Sequence, residues 1–188
     1  MHKPATHAER ILAAADKLFY EQGIRAVGVD TIAAEAGVSK RTLYNHYPTK
    51  DDLIAAYLTA RFKHVAPSDA PAREQILAYF DRLEQLLADG SFRGCPYVNA
   101  VTEIGDRKHA AIAIAVQFKE QRLAWYRTLL ERMGVKDPAG VAIQLQILVE
   151  GALASALVRE DPKIARAARA AADVLLDAAP KKPRKSKA

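Results

Sequence analysis

The chain has 188 residues, 50% of them apolar and 27% charged, which excludes a disordered polymer and allows a substantial buried core. A single cysteine, Cys95, excludes an intramolecular disulfide and any all-cysteine metal site within one chain. Of the formal net charge of +6, five charges sit on Lys181, Lys182, Arg184, Lys185 and Lys187, so local placement has to carry any nucleic-acid argument.

No apolar run reads as long enough to span a bilayer, and MHKPATHAERIL lacks the apolar core and cleavage site of a secretory signal. The expectation is a cytoplasmic protein without a membrane partner. The lone cysteine fits such a reducing compartment.

Thr6 and Glu9 stand in capping-box spacing before Ile11, Ala15, Leu18 and Phe19, predicting a first amphipathic helix to Gln22 that Gly23 ends. Val29 to Ala36 fits a second helix closed by Gly37. Ser39 caps a third, Lys40 to Tyr47, which Pro48 stops. Thr49 and Asp52 open a fourth carrying Leu53, Ile54, Tyr57, Leu58 and Phe62, and Pro67 and Pro71 mark a boundary. Ala72 to Leu87 shows Ile76, Phe80, Leu83 and Leu87 on one stripe. Pro96 starts a short helix ending near Gly105, and a long one runs from about Arg107 to Met133. Asp137-Pro138 and Asp161-Pro162 start two more, the last ending before Pro180, and the tail PKKPRKSKA reads as disordered.

This predicts an all-α fold of about nine helices. The expected division is an N-terminal helix-turn-helix domain over 1–49, a helical ligand-binding and dimerisation domain over 50–179 joined through the long fourth helix, and a basic tail over 180–188.

Two short helices joined through Gly37 must cross steeply, and Ala33 and Ala36 permit the close approach, so a helix-turn-helix follows. In the third helix Leu43 and Tyr47 face the core, which turns Arg41 and Asn45 outward, flanked by Lys40, Tyr44, Thr42 and His46. No acidic residue lies between Val38 and Lys50. Residues at the start of such a helix reach deepest into a major groove, which makes Lys40 and Arg41 the base-reading candidates. Ser39, Thr42, Tyr44, Asn45, His46 and Lys50 complete the candidate contacts, with Tyr44, His46 and Lys50 placed for phosphates.

The stretch IAAEAGVSKRTLYNHYPTKDDL resembles the DNA-binding motif of the TetR family of bacterial transcriptional regulators, the likeness running from about Ile11 to Leu58. The resemblance implies a homodimer that binds a palindromic double-stranded operator and leaves it when an unidentified small-molecule effector enters the second domain. Gly28 departs from the family's frequent Ser or Thr cap of helix two, removing one hydroxyl contact to phosphate.

Polar residues within the apolar stripes of the second domain, and the aromatic walls beside them, are candidate ligand contacts. They are Cys95, Asn99 and Glu103 in the short helix, Phe118, Arg122, Trp125 and Tyr126 in the long one, and Gln146 and Glu150 beyond. The apolar small-residue surfaces of the last two helices exceed what one monomer needs to bury, so a four-helix homodimer contact is expected. Cys95, at a helix N-terminus near Arg93, also raises an alternative in which a low-pKa thiol senses oxidants or electrophiles, against the plainer reading of a buried, inert cysteine. An enzyme is not expected: no Glu-x-x-His pattern, phosphate-binding glycine loop or nucleophile elbow is present, and no cofactor or metal is implied. An architectural DNA-binding protein without an effector is the remaining reading.

Overall fold

The computed structural model describes residues 4–62 and 68–183. Among these are nine helices: α1 His7–Gln22, α2 Val29–Glu35, α3 Lys40–His46, α4 Lys50–Ala60, α5 Ala72–Ala88, α6 Pro96–Ile104, α7 Ala110–Arg132, α8 Pro138–Arg159 and α9 Ile164–Ala178. The chain divides into two compact units, Met1–His64 with Cys95–Phe118, and Val65–Gly94 with Lys119–Ala188. This division differs from one at residue 49: α4, α6 and the first part of α7 belong with the helix-turn-helix.

In the first unit the starts of the helices follow local chemistry. Thr6 and Glu9 close a capping box at α1 and Thr49 and Asp52 another at α4, each satisfying amide donors that a helix start leaves open. Gly28 caps α2 without a side-chain bond, as its missing hydroxyl requires. The core joins Ile11, Ala15, Leu18 and Phe19 of α1 to Ile32 and Ala33 of α2, Leu43 of α3 and Leu53, Tyr57 and Leu58 of α4. The α4 side chains Leu53, Ile54, Tyr57 and Leu58 are all buried here, so α4 packs within this unit. The helix shared by both units is α7. Arg61 clasps Asp16 of α1, one of its bonds measuring 2.9 Å, while its guanidinium lies 4.1 Å from the Tyr20 ring. From α6, the Tyr97 hydroxyl donates to the Leu58 carbonyl at 3.2 Å, and the Tyr97 ring stacks on Phe118 at 4.0 Å.

The second unit packs α5 against α9 and α9 against α8 around Phe80, Leu83, Tyr126, Leu130, Leu145, Val149, Ala165, Ala172 and Leu176. Alanines on the buried face of α9 let its backbone approach α5 and α8 closely. Arg73 pairs with Asp173 at 2.7 Å and Asp177 at 2.8 Å, Asp81 with Arg169 at 2.7 Å, and Glu84 with Arg166 at 2.6 Å. The numbers rise on one helix as they fall on the other, so α5 and α9 run antiparallel.

Three local expectations need correction. By length and composition α8 is apolar enough to cross a bilayer; Gln144, Gln146 and Glu150 break its apolar run and hide this in the sequence. Its apolar residues divide between the core and an exposed stripe. Asp161 accepts the Lys163 amide at 2.9 Å in a turn that delays α9 to Ile164. The tail does not begin unpaired at Pro180: Lys136 N donates to the Pro180 carbonyl and Lys182 N to the Gly134 carbonyl, both at 2.8 Å, around an isolated antiparallel bridge of Val135 with Lys181. Residues 184–188 of the expected tail, and Pro67 of the expected boundary, lie outside the described residues.

Candidate nucleic-acid interface and sensor residues

The turn between α2 and α3 is fixed from both sides. Gly37 has φ 61°, a left-handed conformation that any side chain strains, and a Cβ there would meet the Arg10 guanidinium at 2.6 Å. Arg10, on α1, donates to the carbonyls of Ala36 and, at 2.7 Å, of Gly37. It thereby satisfies the open C-terminal carbonyls of α2 and holds the entry to α3. The sequence reading missed Arg10, whose partners lie 26 and 27 residues further along the chain.

Ser39 caps α3 by accepting the Thr42 amide at 3.0 Å, and its hydroxyl lies 2.8 Å from that of Thr42. Leu43 is fully buried and Tyr47 half-buried, its hydroxyl 3.5 Å from the Ala8 carbonyl. Burial pushes the Tyr47 phenol above its ordinary pKa. With these two residues turned inward, Ser39, Lys40, Arg41, Tyr44, Asn45 and His46 are exposed, Tyr44 by 39%, and Thr42 is half-buried. Arg41, Tyr44 and Asn45 share the centre of the outward face, and His46 packs edge-on to His7 at 6.4 Å. A guanidinium, a phenol, an amide and an imidazole so arranged can donate to phosphates and to base edges.

Two predicted cations behave differently from the others. Lys40 pairs with Asp30 of α2 at 2.9 Å, and that hydrogen bond raises its pKa. The face is therefore acid-free only within α3 itself. Lys50 turns inward: its ammonium donates to the Ile24 carbonyl at 2.6 Å and lies 5.9 Å from the Phe19 ring, with burial lowering its pKa. It ties the start of α4 to the connection after α1.

The nine candidate sensor residues fall in both units. Cys95 is the half-buried N-cap of α6, and Asn99 lies one turn into that helix. Arg93 donates to the carbonyls of Phe92 at 3.0 Å and Gly90 at 3.5 Å. Glu103 accepts the Arg25 amide at 2.9 Å and lies 3.0 Å from where a Cβ on Gly23 would stand, Gly23 having φ 92°. It thus joins α6 to the connection between α1 and α2. Phe118 meets Tyr97 and, at 5.5 Å, Phe62 in the first unit's aromatic packing.

The other five gather in the second unit. Glu150 of α8 accepts from Lys119 of α7 and from the Gln146 amide. The Arg122 guanidinium lies 4.2 Å from the Tyr79 ring and 5.9 Å from the Trp125 ring. Tyr126 is fully buried, in ring contact with Trp125 at 4.9 Å and Tyr79 at 6.2 Å. Sequence reasoning missed Lys119 and Tyr79, since neither interrupts an apolar stripe on its own helix.

Residues 11–57, the span of α1 to α4 that carries this geometry, match the model of the bacterial regulatory proteins of the tetR family. A solved tetR-type transcriptional regulator from Streptomyces avermitilis, sav143, superposes with a TM-score of 0.83 at 34% identity, covering 95% of this chain and 100% of that one. The HTH-type transcriptional regulator YjdC of Escherichia coli is 27% identical over 89% of this chain and 92% of its own. The HTH-type transcriptional repressor Rv3405c of Mycobacterium tuberculosis is 29% identical over 74% of this chain and 84% of its own. With the helix-turn-helix segment matching the family model, and 34% identity at near-complete mutual coverage with a solved tetR-type regulator, the chain belongs to the TetR family of DNA-binding transcriptional regulators.

Proposed function

We propose that this regulator is a repressor that binds a palindromic operator as a homodimer and leaves it when a small-molecule effector occupies the second unit. The observation that carries the DNA reading is the exposed face of α3, on which Arg41, Tyr44, Asn45 and His46 stand together over a buried Leu43. Arg41 reads bases, with Ser39, Lys40, Thr42, Tyr44, Asn45 and His46 as further contacts. Lys50 acts indirectly, by tying the start of α4 to the connection after α1. The name of the mycobacterial relative supports repression.

A dimer is supported by two exposed stripes. On α8 these are Ile143, Ile147, Gly151, Ala154 and Val158; on α9 they are Ala167, Ala170, Ala171, Val174 and Ala178. Two copies of each form the four-helix contact that a two-fold axis generates, and small residues in both stripes permit close approach. Such a protein works in the cytoplasm, beside the DNA it reads.

The test is a gel-shift titration with an operator recovered by selection from random duplex DNA. Substituting Arg41 and Tyr44 together by alanine should weaken specific binding by roughly ten- to a hundredfold at fixed salt. Unchanged operator binding by that variant sinks the assignment.

A further inference from the structure

We propose that the second unit binds an apolar carboxylic acid that also carries a hydroxyl group, at a site built from Lys119, Arg122, Tyr126, Gln146 and Glu150; this rests on the ligand-responsive reading above and names the ligand's chemistry. The starting point is Tyr126. Its side chain is fully buried, yet its hydroxyl has no hydrogen-bond partner among the described residues. A desolvated hydroxyl left so is costly and uncommon in a folded core. Its ring lies 6.2 Å from that of Tyr79, and it interacts electrostatically with Arg122 and Glu150, which sets it beside the polar residues of α5, α7 and α8. Burial keeps the phenol neutral and therefore able to donate.

Gln146 gives a second, independent sign. Its amide nitrogen donates to Glu150, which fixes the amide's orientation, and the carbonyl Oε1 is left buried without a partner. The site thus presents one donor, the Tyr126 hydroxyl, and one acceptor, the Gln146 carbonyl. A ligand that satisfies both carries an acceptor oxygen and a hydroxyl.

Charge selects between neutral and anionic ligands. Lys119, Arg122 and Glu150 are two cations and one carboxylate, and Glu150 already receives bonds from Lys119 and Gln146. A single carboxylate balances this set, whereas a phosphate dianion exceeds it and a cation adds to the excess. The rings of Tyr79 and Trp125 beside Arg122 supply the apolar wall for the rest of the molecule. Aliphatic and aromatic hydroxy acids share this chemistry.

Calorimetric titration of the full-length protein with 3-hydroxydecanoate, 4-hydroxyphenylacetate and the amide of each separates these cases. At least one acid should bind saturably, at least tenfold tighter than its amide, and the acid that does so identifies an aliphatic or aromatic body. Tyr126→Phe should weaken that acid about tenfold, the scale of one neutral hydrogen bond, without lowering the melting temperature, because it removes a partnerless hydroxyl. Gln146→Leu should make the hydroxy acid and its deoxy counterpart, decanoate or phenylacetate, bind alike. Neither acid binding, an amide binding as tightly, or Tyr126→Phe binding like the unaltered protein would overturn the proposal. So would a Tyr126→Phe protein whose melting temperature falls, since the hydroxyl would then be structural. If neutral or cationic compounds release the selected operator while both acids are inert, the proposal falls and the ligand-responsive reading stands. If no compound of a chemically broad set releases it, that reading falls too.

Discussion

Arg10 and Asp30 are the two side chains that most change the picture of the DNA-reading face, and neither belongs to α3. Arg10 supplies the acceptor-rich end of α2 with a charged donor, and Gly37 leaves room for it. Replacing it with alanine leaves those carbonyls without that partner. Arg10→Ala should lower unfolding stability by about 1–2 kcal/mol in urea titrations monitored by circular dichroism. Asp30 holds Lys40 in a solvent-exposed pair. Such pairs contribute little to stability, so the consequence lies in binding. Asp30→Asn should leave the fold unchanged, tighten DNA binding about three- to tenfold at low salt and steepen its salt dependence by about one phosphate contact. Affinity measured across a salt series decides this; an unaltered slope means that Lys40 already engages phosphate.

At the scale of elements, the amphipathic pattern of α9 was fully legible, because alanine at every third or fourth position can only mark a face against which another helix packs closely. Which of two faces it marked was not. Ala165, Ala168, Ala172 and Leu176 go into the core, while Ala167, Ala170, Ala171 and Val174 stay outside, and only the antiparallel ion pairs with α5 settle the rotation. The exposed stripe is the basis of the proposed dimer. Ile147→Glu or Val174→Glu, at 62% and 68% exposure, should leave helix content unchanged and shift the protein from dimer to monomer in sedimentation velocity. A variant that sediments like the parent places the interface elsewhere.

For the whole molecule, buried phenols tie folding to alkaline pH. The chain has seven tyrosines; burial raises Tyr57, Tyr126 and, to a lesser degree of burial, Tyr47 above the ordinary 10.0. Above pH 10 the unfolded chain loses these protons while the folded one keeps them, so the unfolded state binds fewer protons and stability falls as pH rises. Absorbance at 295 nm should show Tyr57 and Tyr126 ionising only together with the loss of helical circular dichroism. Ionisation of all seven before unfolding contradicts this.

The sequence alone determined the helix count, the helix-turn-helix and the inward placement of Leu43, because caps, glycines, prolines and apolar periods act within a few residues and need no distant partner. It also placed Arg122, Trp125, Tyr126, Gln146 and Glu150 among the sensor candidates, since a polar residue on an apolar stripe has to be satisfied by something. Only the tertiary structure decided what satisfies it. Glu103 was drawn to the Arg25 amide, Lys50 to the Ile24 carbonyl and Lys40 to Asp30, while Lys119 and Tyr79 arrived from other turns and helices to complete the cluster around Tyr126. Those pairings depend on which chain segments meet in space, and residue spacing along one helix carries no information about that.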